Sequence, residues 1–194
     1  MRLREVERGD SIANRLLIGF ISLVSRMRLP DAARVAFYHK DFGSPLGAWT
    51  QAAMRGPSIW TIAERELMAA MVAKWNSCTF CVGAHRAVAA KQLPPAAVDD
   101  TLTDFRSAPI SNTLKATLAF LEKMTLRPRD LTPEDAAAVL RAGVTREALT
   151  DAIAVASLFN IITRYADALA FAIPTEDEFD RAGIMLLKRG YGPR

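Results

Sequence analysis

The apolar positions of this chain recur at the spacing of helices. Leu114, Leu118 and Leu121 follow one another at steps of four and three residues and form a single apolar stripe. Runs of β-branched and aromatic residues, which are typical of strands, are nearly absent. Prolines, which interrupt helices, divide the chain into segments of helical length: Pro30, Pro45, Pro57, Pro94, Pro95, Pro109, Pro128, Pro133 and Pro174. The pattern therefore predicts an all-α fold.

Several of these segments carry a signal for the start of a helix. Thr61 and Glu64 have the spacing of a capping box, in which each side chain bonds the backbone N–H of the other residue. Thr132 stands before a proline and two acidic residues, which is a second start signal. Gly143 is the predicted end of that helix, and Thr145 is the predicted start of the next one.

The longest predicted helices form a central antiparallel pair. One covers about residues 62–75 and the other about residues 145–171. Within the second, residues 152–162 are apolar on every side, so we expect this helix to be the most buried of the domain. Shorter helices are expected to surround the pair.

Composition excludes several classes of protein. Of the 194 residues, 51% are hydrophobic and 24% are charged, which suffices for one sizeable core and excludes a disordered chain. The net charge is +4, and the basic residues are scattered rather than gathered into the stripe that is typical of nucleic-acid binding. We therefore predict one globular domain that binds no nucleic acid.

Two apolar stretches bear on the location of the protein. Residues 16–24 are preceded by acidic residues and followed by no cleavage site, so they do not resemble a secretory signal. Residues 152–162 are about half as long as a stretch that spans a bilayer. We predict core-facing helices in both places, no association with a membrane, and a cytoplasmic location.

The candidate chemistry lies in one short segment. Cys78 and Cys81 are the two cysteines of the chain, and His85 is one of its two histidines. On a helix that begins near Cys78, these three residues lie on one face. A thiol pair beside an imidazole suits redox chemistry, because the thiolate is the reactive form and a neighbouring base lowers the pKa of a thiol. Asn76 and Ser77 are the predicted caps of this helix.

The same residues allow other interpretations. A structural disulfide is disfavoured, because the loop between Cys78 and Cys81 is too short to remove much unfolded-state entropy. A zinc site formed by both cysteines, His85 and Glu66 would lack the second ligand pair that a distant segment usually supplies. Two buried cysteines beside a core histidine are a third interpretation. We favour redox chemistry and predict no metal.

The spacing of these residues resembles the signature of a known family. Glu66, Cys78, Cys81 and His85 are arranged as Glu-x11-Cys-x2-Cys-x3-His. This resembles the AhpD-like family, the alkylhydroperoxidase D branch of the carboxymuconolactone decarboxylase superfamily. The later stretch 159–169 resembles a helix of members known as peroxidase-related.

The resemblance also suggests how the chain is organised. It covers a core of about residues 41–180 within a single AhpD-like domain of residues 1–194. Residues 1–40 are expected to form a helical extension that precedes the core. Residues 181–194 are expected to form a basic tail.

The resemblance implies a fold, an assembly and a mechanism. The fold would be the all-helical AhpD-like fold, assembled as homotrimers or hexamers and working without a cofactor. Cys81 would attack an organic hydroperoxide, Cys78 would resolve the product, His85 would take the proton of Cys81, and Glu66 would orient His85. A lipoyl domain, a thioredoxin-like protein or a small thiol would then reduce the disulfide. The spacing agrees, because Cys81 and His85 are four residues apart, whereas Cys78 is nearly two turns from His85.

One position departs from the family pattern. Well-studied members have a histidine just before the second cysteine, where this chain has Phe80. We expect a shorter proton relay, with Phe80 either at an apolar mouth of the site or packed at a subunit interface. Two other functions therefore stay open: a non-redox enzyme like the carboxymuconolactone decarboxylases, and a redox-sensing or disulfide-exchange module.

A polar stripe crosses the otherwise apolar second central helix. Asn160, Arg164 and Asp167 are spaced four and three residues apart. The simplest interpretation is an ion pair between Arg164 and Asp167 within the helix. The stripe could instead lie at a subunit interface or border the active site. His39 has no predicted partner and is interpreted as a surface residue.

Overall fold

The computed structural model of the chain describes residues 1–25, 28–38 and 40–191. In these ranges the chain forms eleven α-helices, one short 3-10 turn and no strand, so the predicted all-α fold is confirmed. The prediction for His39 falls outside the described residues. The helices are α1 (Arg4–Arg8), α2 (Ile12–Ser25), α3 (Asp31–Phe37), α4 (Lys40–Arg55), α5 (Ile62–Trp75), α6 (Thr79–Ala89), α7 (Pro95–Asp104), α8 (Asn112–Leu126), α9 (Pro133–Arg141), α10 (Arg146–Leu169) and α11 (Glu176–Arg189).

The helix starts predicted from the sequence are confirmed. The Thr61 hydroxyl accepts the Glu64 N–H, and the Glu64 carboxylate accepts the Thr61 N–H at 2.9 Å, so α5 begins with a complete capping box. Thr132 and Thr145 are the N-caps of α9 and α10. Helix α10 ends two residues earlier than predicted, because Ala170 adopts the left-handed conformation, with φ of 52°.

Helix α5 is the centre of the core. It packs against α10, as the central pair predicts, and also against α4, α6, α7 and α8. Every residue from Arg65 to Ala73 is buried. The expectation that residues 152–162 form the most buried helix is wrong, since Ile161 of α10 is 42% exposed. Helix α5 has neighbours on all sides, whereas the described residues leave one side of α10 uncovered.

A second apolar cluster lies beside the main core and contains both cysteines. It joins the ends of α5 and α10 to the N-terminal helices, because Val6 of α1 and Val35 of α3 are buried in it. Its buried members are Val6, Val35, Ala73, Cys78, Phe80, Cys81, Ala166, Leu169 and Phe171. This cluster places the N-terminal segment next to the candidate chemistry.

The described residues include one helix that could cross a membrane by length and composition alone. This is α10, whose 24 residues have a sufficiently apolar window. Core helices of globular proteins pass the same test. In this fold, Ala152, Val155 and Phe159 of α10 are buried in the main core.

Candidate active site

The two cysteines occupy the first turn of α6. Cys78 is the N-cap, with extended backbone angles, and its carbonyl accepts the Val82 N–H at 3.0 Å. The prediction that Asn76 and Ser77 cap this helix is therefore wrong. Asn76 is the C-cap of α5, and Ser77 has a positive φ of 59° that turns the chain between the two helices.

The two thiols are in hydrogen-bonding contact with each other. Hydrogen bonding to the neighbouring Cys81 thiol lowers the pKa of Cys78, even though burial opposes ionisation. The same bond, followed by burial, raises the pKa of Cys81 well above its usual value. Cys78 lies at the N-terminal, positive end of the α6 dipole, which also favours a thiolate there.

A carboxylate from α10 lies beside the cysteines. The negative charge of Asp167 opposes the ionisation of the Cys78 thiol and so acts to raise its pKa. The predicted ion pair between Arg164 and Asp167 is wrong, because Arg164 donates instead to the side-chain carbonyl of Asn76 at 2.8 Å. Asn76 in turn donates to Asn160 at 2.9 Å. The polar stripe of α10 thus ties that helix to the turn before Cys78 and borders the site.

Glu66 and His85 form a buried carboxylate–imidazole pair. The Nδ1 atom of His85 on α6 lies 2.6 Å from Oε2 of Glu66 on α5. The His85 ring packs edge-on against Phe159, with ring centroids 4.4 Å apart. Glu66 is completely buried, although a lone acid on a helix is more often exposed. The helix pair α5–α6 therefore brings together two of the residues that the resemblance implies.

Two further side chains hold the Glu66 carboxylate. Arg55, at the end of α4, forms an ion pair with it, and its Nη2 atom lies 2.7 Å from Oε1. Tyr191, just after α11, donates from its hydroxyl, which lies 2.9 Å from each carboxylate oxygen. Burial opposes the ionisation of Glu66, but the bonds and charges of His85 and Arg55 outweigh it, so the pKa of Glu66 lies below its usual value.

An ionised Glu66 fixes the proton on the imidazole. Because the carboxylate only accepts hydrogen bonds, the Nδ1 atom of His85 carries the hydrogen that it donates to Glu66. The Nε2 atom of a neutral His85 is then the free base. Cys81 lies one helical turn before His85 on α6. In the described part of the chain, the hydrogen bonds of His85 go to Glu66 and Tyr191 rather than to a thiol.

Solved structures with the same fold were found, whereas no protein-family model and no curated protein matches the sequence. A peroxidase-related protein from Silicibacter sp. TM1040 aligns with a TM-score of 0.76 and 21% identity, over 89% of this chain and 91% of its own. A peroxidase-related protein from Ralstonia eutropha JMP134, described as an alkylhydroperoxidase AhpD core, aligns with a TM-score of 0.72 and 23% identity, over 89% and 90%. The chain has the AhpD-like fold.

A third solved structure with this fold belongs to a protein that is named for a different activity. The debrominase Bmp8 aligns with a TM-score of 0.70 and 16% identity, over 92% of this chain and 92% of its own, and was solved in complex with 2,3,4-tribromopyrrole. The prediction of an AhpD-like fold is thus confirmed. Identities at this level establish the fold, and the roles of the individual residues stay predictions.

Phe80 packs against two other aromatic rings within the fold. Its ring meets Phe171 edge-on, with centroids 5.2 Å apart, and lies 6.2 Å from the ring of Phe179 on α11. Phe80 is only 7% exposed. The three rings form an apolar wall in the same cluster as the two cysteines.

Arg55 and Tyr191 were not predicted from the sequence. Neither stands in a recognisable motif, and they are 11 and 125 residues away from Glu66 along the chain. Residues 181–189, expected to belong to a basic tail, are part of α11, which packs against α6 and leads to Tyr191. No group of three or more potential metal ligands occurs among the residues that the structure describes.

The N-terminal segment packs into the same apolar cluster as the buried cysteines, and we call it their cover. Cys78 and Cys81 are 1% and 2% exposed. Arg2 holds the segment in place: its N–H donates to the Leu169 carbonyl at 2.8 Å, and its guanidinium donates to the Ala168 carbonyl at 3.0 Å. A second contact runs from the Ala172 N–H to the Asp31 carboxylate at 2.8 Å. A reagent that reaches the thiols must therefore displace this cover or enter beside it.

Loosening this cover is expected to expose the thiols. In the variant Arg2→Ala, the guanidinium bonds to α10 are lost, and alkylation of the cysteines by iodoacetamide should accelerate about tenfold. The matched control is Arg4→Ala, which removes a nearby exposed arginine. Equal rates in the wild type and Arg2→Ala would contradict the role of Arg2 in holding the cover.

Proposed function

We propose that this chain is a thiol-dependent oxidoreductase that reduces organic hydroperoxides with the dithiol of Cys78 and Cys81. The observation that carries the proposal is the arrangement on α6: two thiols in contact, one turn before an imidazole that is held by an ionised, buried carboxylate. A positioned base near a thiol provides the thiolate that attacks a peroxide.

The proposed oxidation proceeds in two steps. His85 takes the proton of Cys81, and the Cys81 thiolate attacks one oxygen of the hydroperoxide, so that the O–O bond breaks. Cys81 becomes a sulfenic acid and the alcohol leaves with a proton. Cys78 then attacks the Cys81 sulfur, which forms the disulfide and releases water. The lowered pKa of Cys78 suits this second step, because the resolving sulfur must also act as a thiolate.

An external dithiol would close the cycle. We propose a lipoyl domain, a thioredoxin-like protein or a small thiol as the reductant, which becomes oxidised while Cys78 and Cys81 regain their thiols. The sum of the steps converts one hydroperoxide and one dithiol into an alcohol, water and one disulfide. No cofactor takes part in these proposed steps. The apolar wall formed by Phe80, Phe171 and Phe179 suits an apolar hydroperoxide or a lipoyl arm.

The direct test follows the thiols during a single oxidation. Fully reduced, chelator-treated protein is mixed with one equivalent of an alkyl hydroperoxide, and intact mass and free thiols are measured over time. Rapid loss of both thiols, with a mass decrease of about two hydrogens, supports the proposal. Thiols that persist contradict it and would favour disulfide exchange or a non-redox activity.

A brominated aromatic ring is a second candidate substrate. The observation that favours it is the fold shared with the debrominase Bmp8, which was solved with a tribromopyrrole, together with a thiol pair in an apolar cluster. Two thiols supply two electrons, so an aryl bromide would become the unbrominated ring, with a disulfide and bromide as the other products. Release of bromide from a bromopyrrole by the reduced protein, and not by its disulfide form, would support this activity.

We further propose that the chain works in the cytoplasm as a homotrimer or hexamer. The exposed apolar residues Leu16, Phe20 and Leu23 on α2 are consistent with an assembly that covers them. Light scattering should give a mass of three or six times 21.3 kDa. A mass of a single chain would contradict the assembly.

A further inference from the structure

Tyr191 reaches the proposed proton relay from the end of the described chain. Its hydroxyl oxygen lies 2.9 Å from both oxygens of Glu66 and 3.3 Å from Nδ1 of His85. The hydroxyl is thus equidistant from the two carboxylate oxygens, on the side of the carboxylate that faces the imidazole. No other tyrosine hydroxyl has a recorded bond to Glu66 in the described ranges.

The surroundings of Tyr191 hold it in this position. Its backbone N–H donates to the Gln51 side chain on α4 at 2.6 Å. The preceding residue, Gly190, has φ of +71°, and a Cβ atom there would lie 2.5 Å from Oε1 of Gln51. The guanidinium of Arg55 lies over the Tyr191 ring, 4.8 Å from its centroid. The chain therefore turns at a glycine so that Gln51 and Arg55 can fix the phenol ring.

The contact matters because Glu66 is a fully buried anion. It accepts hydrogen bonds from His85 and Tyr191 and forms an ion pair with Arg55, and these three partners share its negative charge. A carboxylate that gives more of its charge to one donor stabilises the cationic form of that donor more strongly. Because Tyr191 and His85 both donate to Glu66, the bond from the Tyr191 hydroxyl leaves less of the negative charge of Glu66 to stabilise the His85 cation.

We infer that Tyr191 is a positioning residue of the dithiol site, whose hydroxyl fixes the Glu66 carboxylate and limits the charge that Glu66 offers to His85. The inference rests on the proposed function, because it assigns Tyr191 a role in the relay that serves Cys81. Through Tyr191, the segment that follows α11 influences the reactivity of the thiols, although it lies far from the cysteine motif in the sequence.

The test removes the hydroxyl and keeps the ring. In the variant Tyr191→Phe, Glu66 bonds only His85 and Arg55, so the hydrogen bond from His85 should strengthen. The Nδ1 proton of His85 should give a low-field proton NMR signal, and this signal should move further downfield in Tyr191→Phe. Assignment is direct, since the chain has two histidines and the variant His39→Ala leaves only His85.

A second measurement reports on the thiols without any oxidant. A better stabilised His85 cation favours the Cys81 thiolate, so the pH midpoint of iodoacetamide alkylation at Cys81, followed by peptide mass spectrometry, should fall by about half a pH unit in Tyr191→Phe. The matched control is Tyr165→Phe, which removes a hydroxyl from another tyrosine of the domain. Gln51→Ala, which loosens Tyr191 without touching Glu66 or His85, should shift both readouts in the same direction.

The inference is overturned if Tyr191→Phe leaves the NMR signal and the alkylation midpoint where Tyr165→Phe leaves them. A shift of the midpoint to higher pH would also overturn it, because Tyr191 would then support the His85 cation. Failure of the proposed function has a different signature. A wild-type protein that forms no disulfide with hydroperoxide contradicts that function, while the NMR and alkylation experiments still decide the role of Tyr191.

Discussion

Serine in place of Cys81 is expected to abolish hydroperoxide reduction. The change is nearly isosteric, but a serine hydroxyl is not ionised near neutral pH and forms no sulfenic acid or disulfide. The proposed mechanism therefore stops before its first step. Consumption of an alkyl hydroperoxide in the presence of excess dithiol should fall to the rate without protein. Retained turnover in Cys81→Ser would contradict the attacking role of Cys81.

The matched variant Cys78→Ser separates the two roles. It keeps Cys81 and His85, so the first oxidation should proceed and stop at a sulfenic acid, which dimedone traps on Cys81. One equivalent of hydroperoxide should be consumed, with no disulfide formed. The opposite pattern, a trapped sulfenic acid on Cys78 in Cys81→Ser, would reverse the two roles.

The pKa values of the two thiols are shifted in opposite directions in the resting site, which makes the comparison of Cys81→Ser with Cys78→Ser informative. The bond between the thiols stabilises the thiolate of Cys78 and keeps the proton on Cys81. Attack by Cys81 therefore requires that its proton pass to His85 rather than remain shared with Cys78. Cys78→Ser removes this competitor, so trapping on Cys81 in that variant tests the transfer of the Cys81 proton to His85 by itself.

The second large effect is expected for Glu66→Gln. The amide cannot match the carboxylate in holding the His85 cation, and the rate of disulfide formation with hydroperoxide should fall by on the order of 100-fold. The variant also leaves the Arg55 guanidinium buried without its anion. Removing one partner of a buried ion pair typically costs about 3 kcal/mol or more of the free energy of unfolding. Chemical denaturation measures this loss, and stopped-flow oxidation measures the rate.

The difference in stability between these two proteins should depend on pH. The pKa of folded Glu66 lies below its usual value of 4.5, so the carboxylate stabilises the wild type fully above that value. This contribution is lost as the pH falls through the lowered pKa, whereas the amide does not titrate. The gap in unfolding free energy between the wild type and Glu66→Gln should therefore narrow as the pH falls below 4.5. A gap that stays constant on acidification would argue against an ionised Glu66.

Glu64→Gln is the matched control for this variant. It makes the same chemical change on the same helix, two residues away, in the capping box of α5. Glutamine also serves at this position of a capping box, so the stability should change little. A comparable loss of rate in Glu64→Gln would show that the effect of Glu66→Gln is not specific to the His85 pair.

The helical architecture was predictable because its signals are local. The capping residues Thr61, Thr132 and Thr145 act on the backbone within three residues, so the sequence around each one suffices to place a helix start. The spacing of Cys78, Cys81 and His85 on α6 is likewise a property of one helix. Prediction failed where a tertiary contact overrode a local rule. Asn76 was predicted to cap α6, but its side chain instead accepts a hydrogen bond from Arg164 of α10.

Contacts between residues that are distant along the chain could not be predicted from the sequence. The sequence by itself determined the all-α class, the starts of α5, α9 and α10 and the cysteine–histidine segment, because hydrophobic periodicity and capping depend on neighbours along the chain. Only the tertiary structure decided that Glu66 is a buried anion held by Arg55 and Tyr191, and that the N-terminal segment packs into the same apolar cluster as the thiols. Burial, shared hydrogen bonds and the resulting pKa values depend on groups from distant segments, and no local pattern encodes which of those groups will meet.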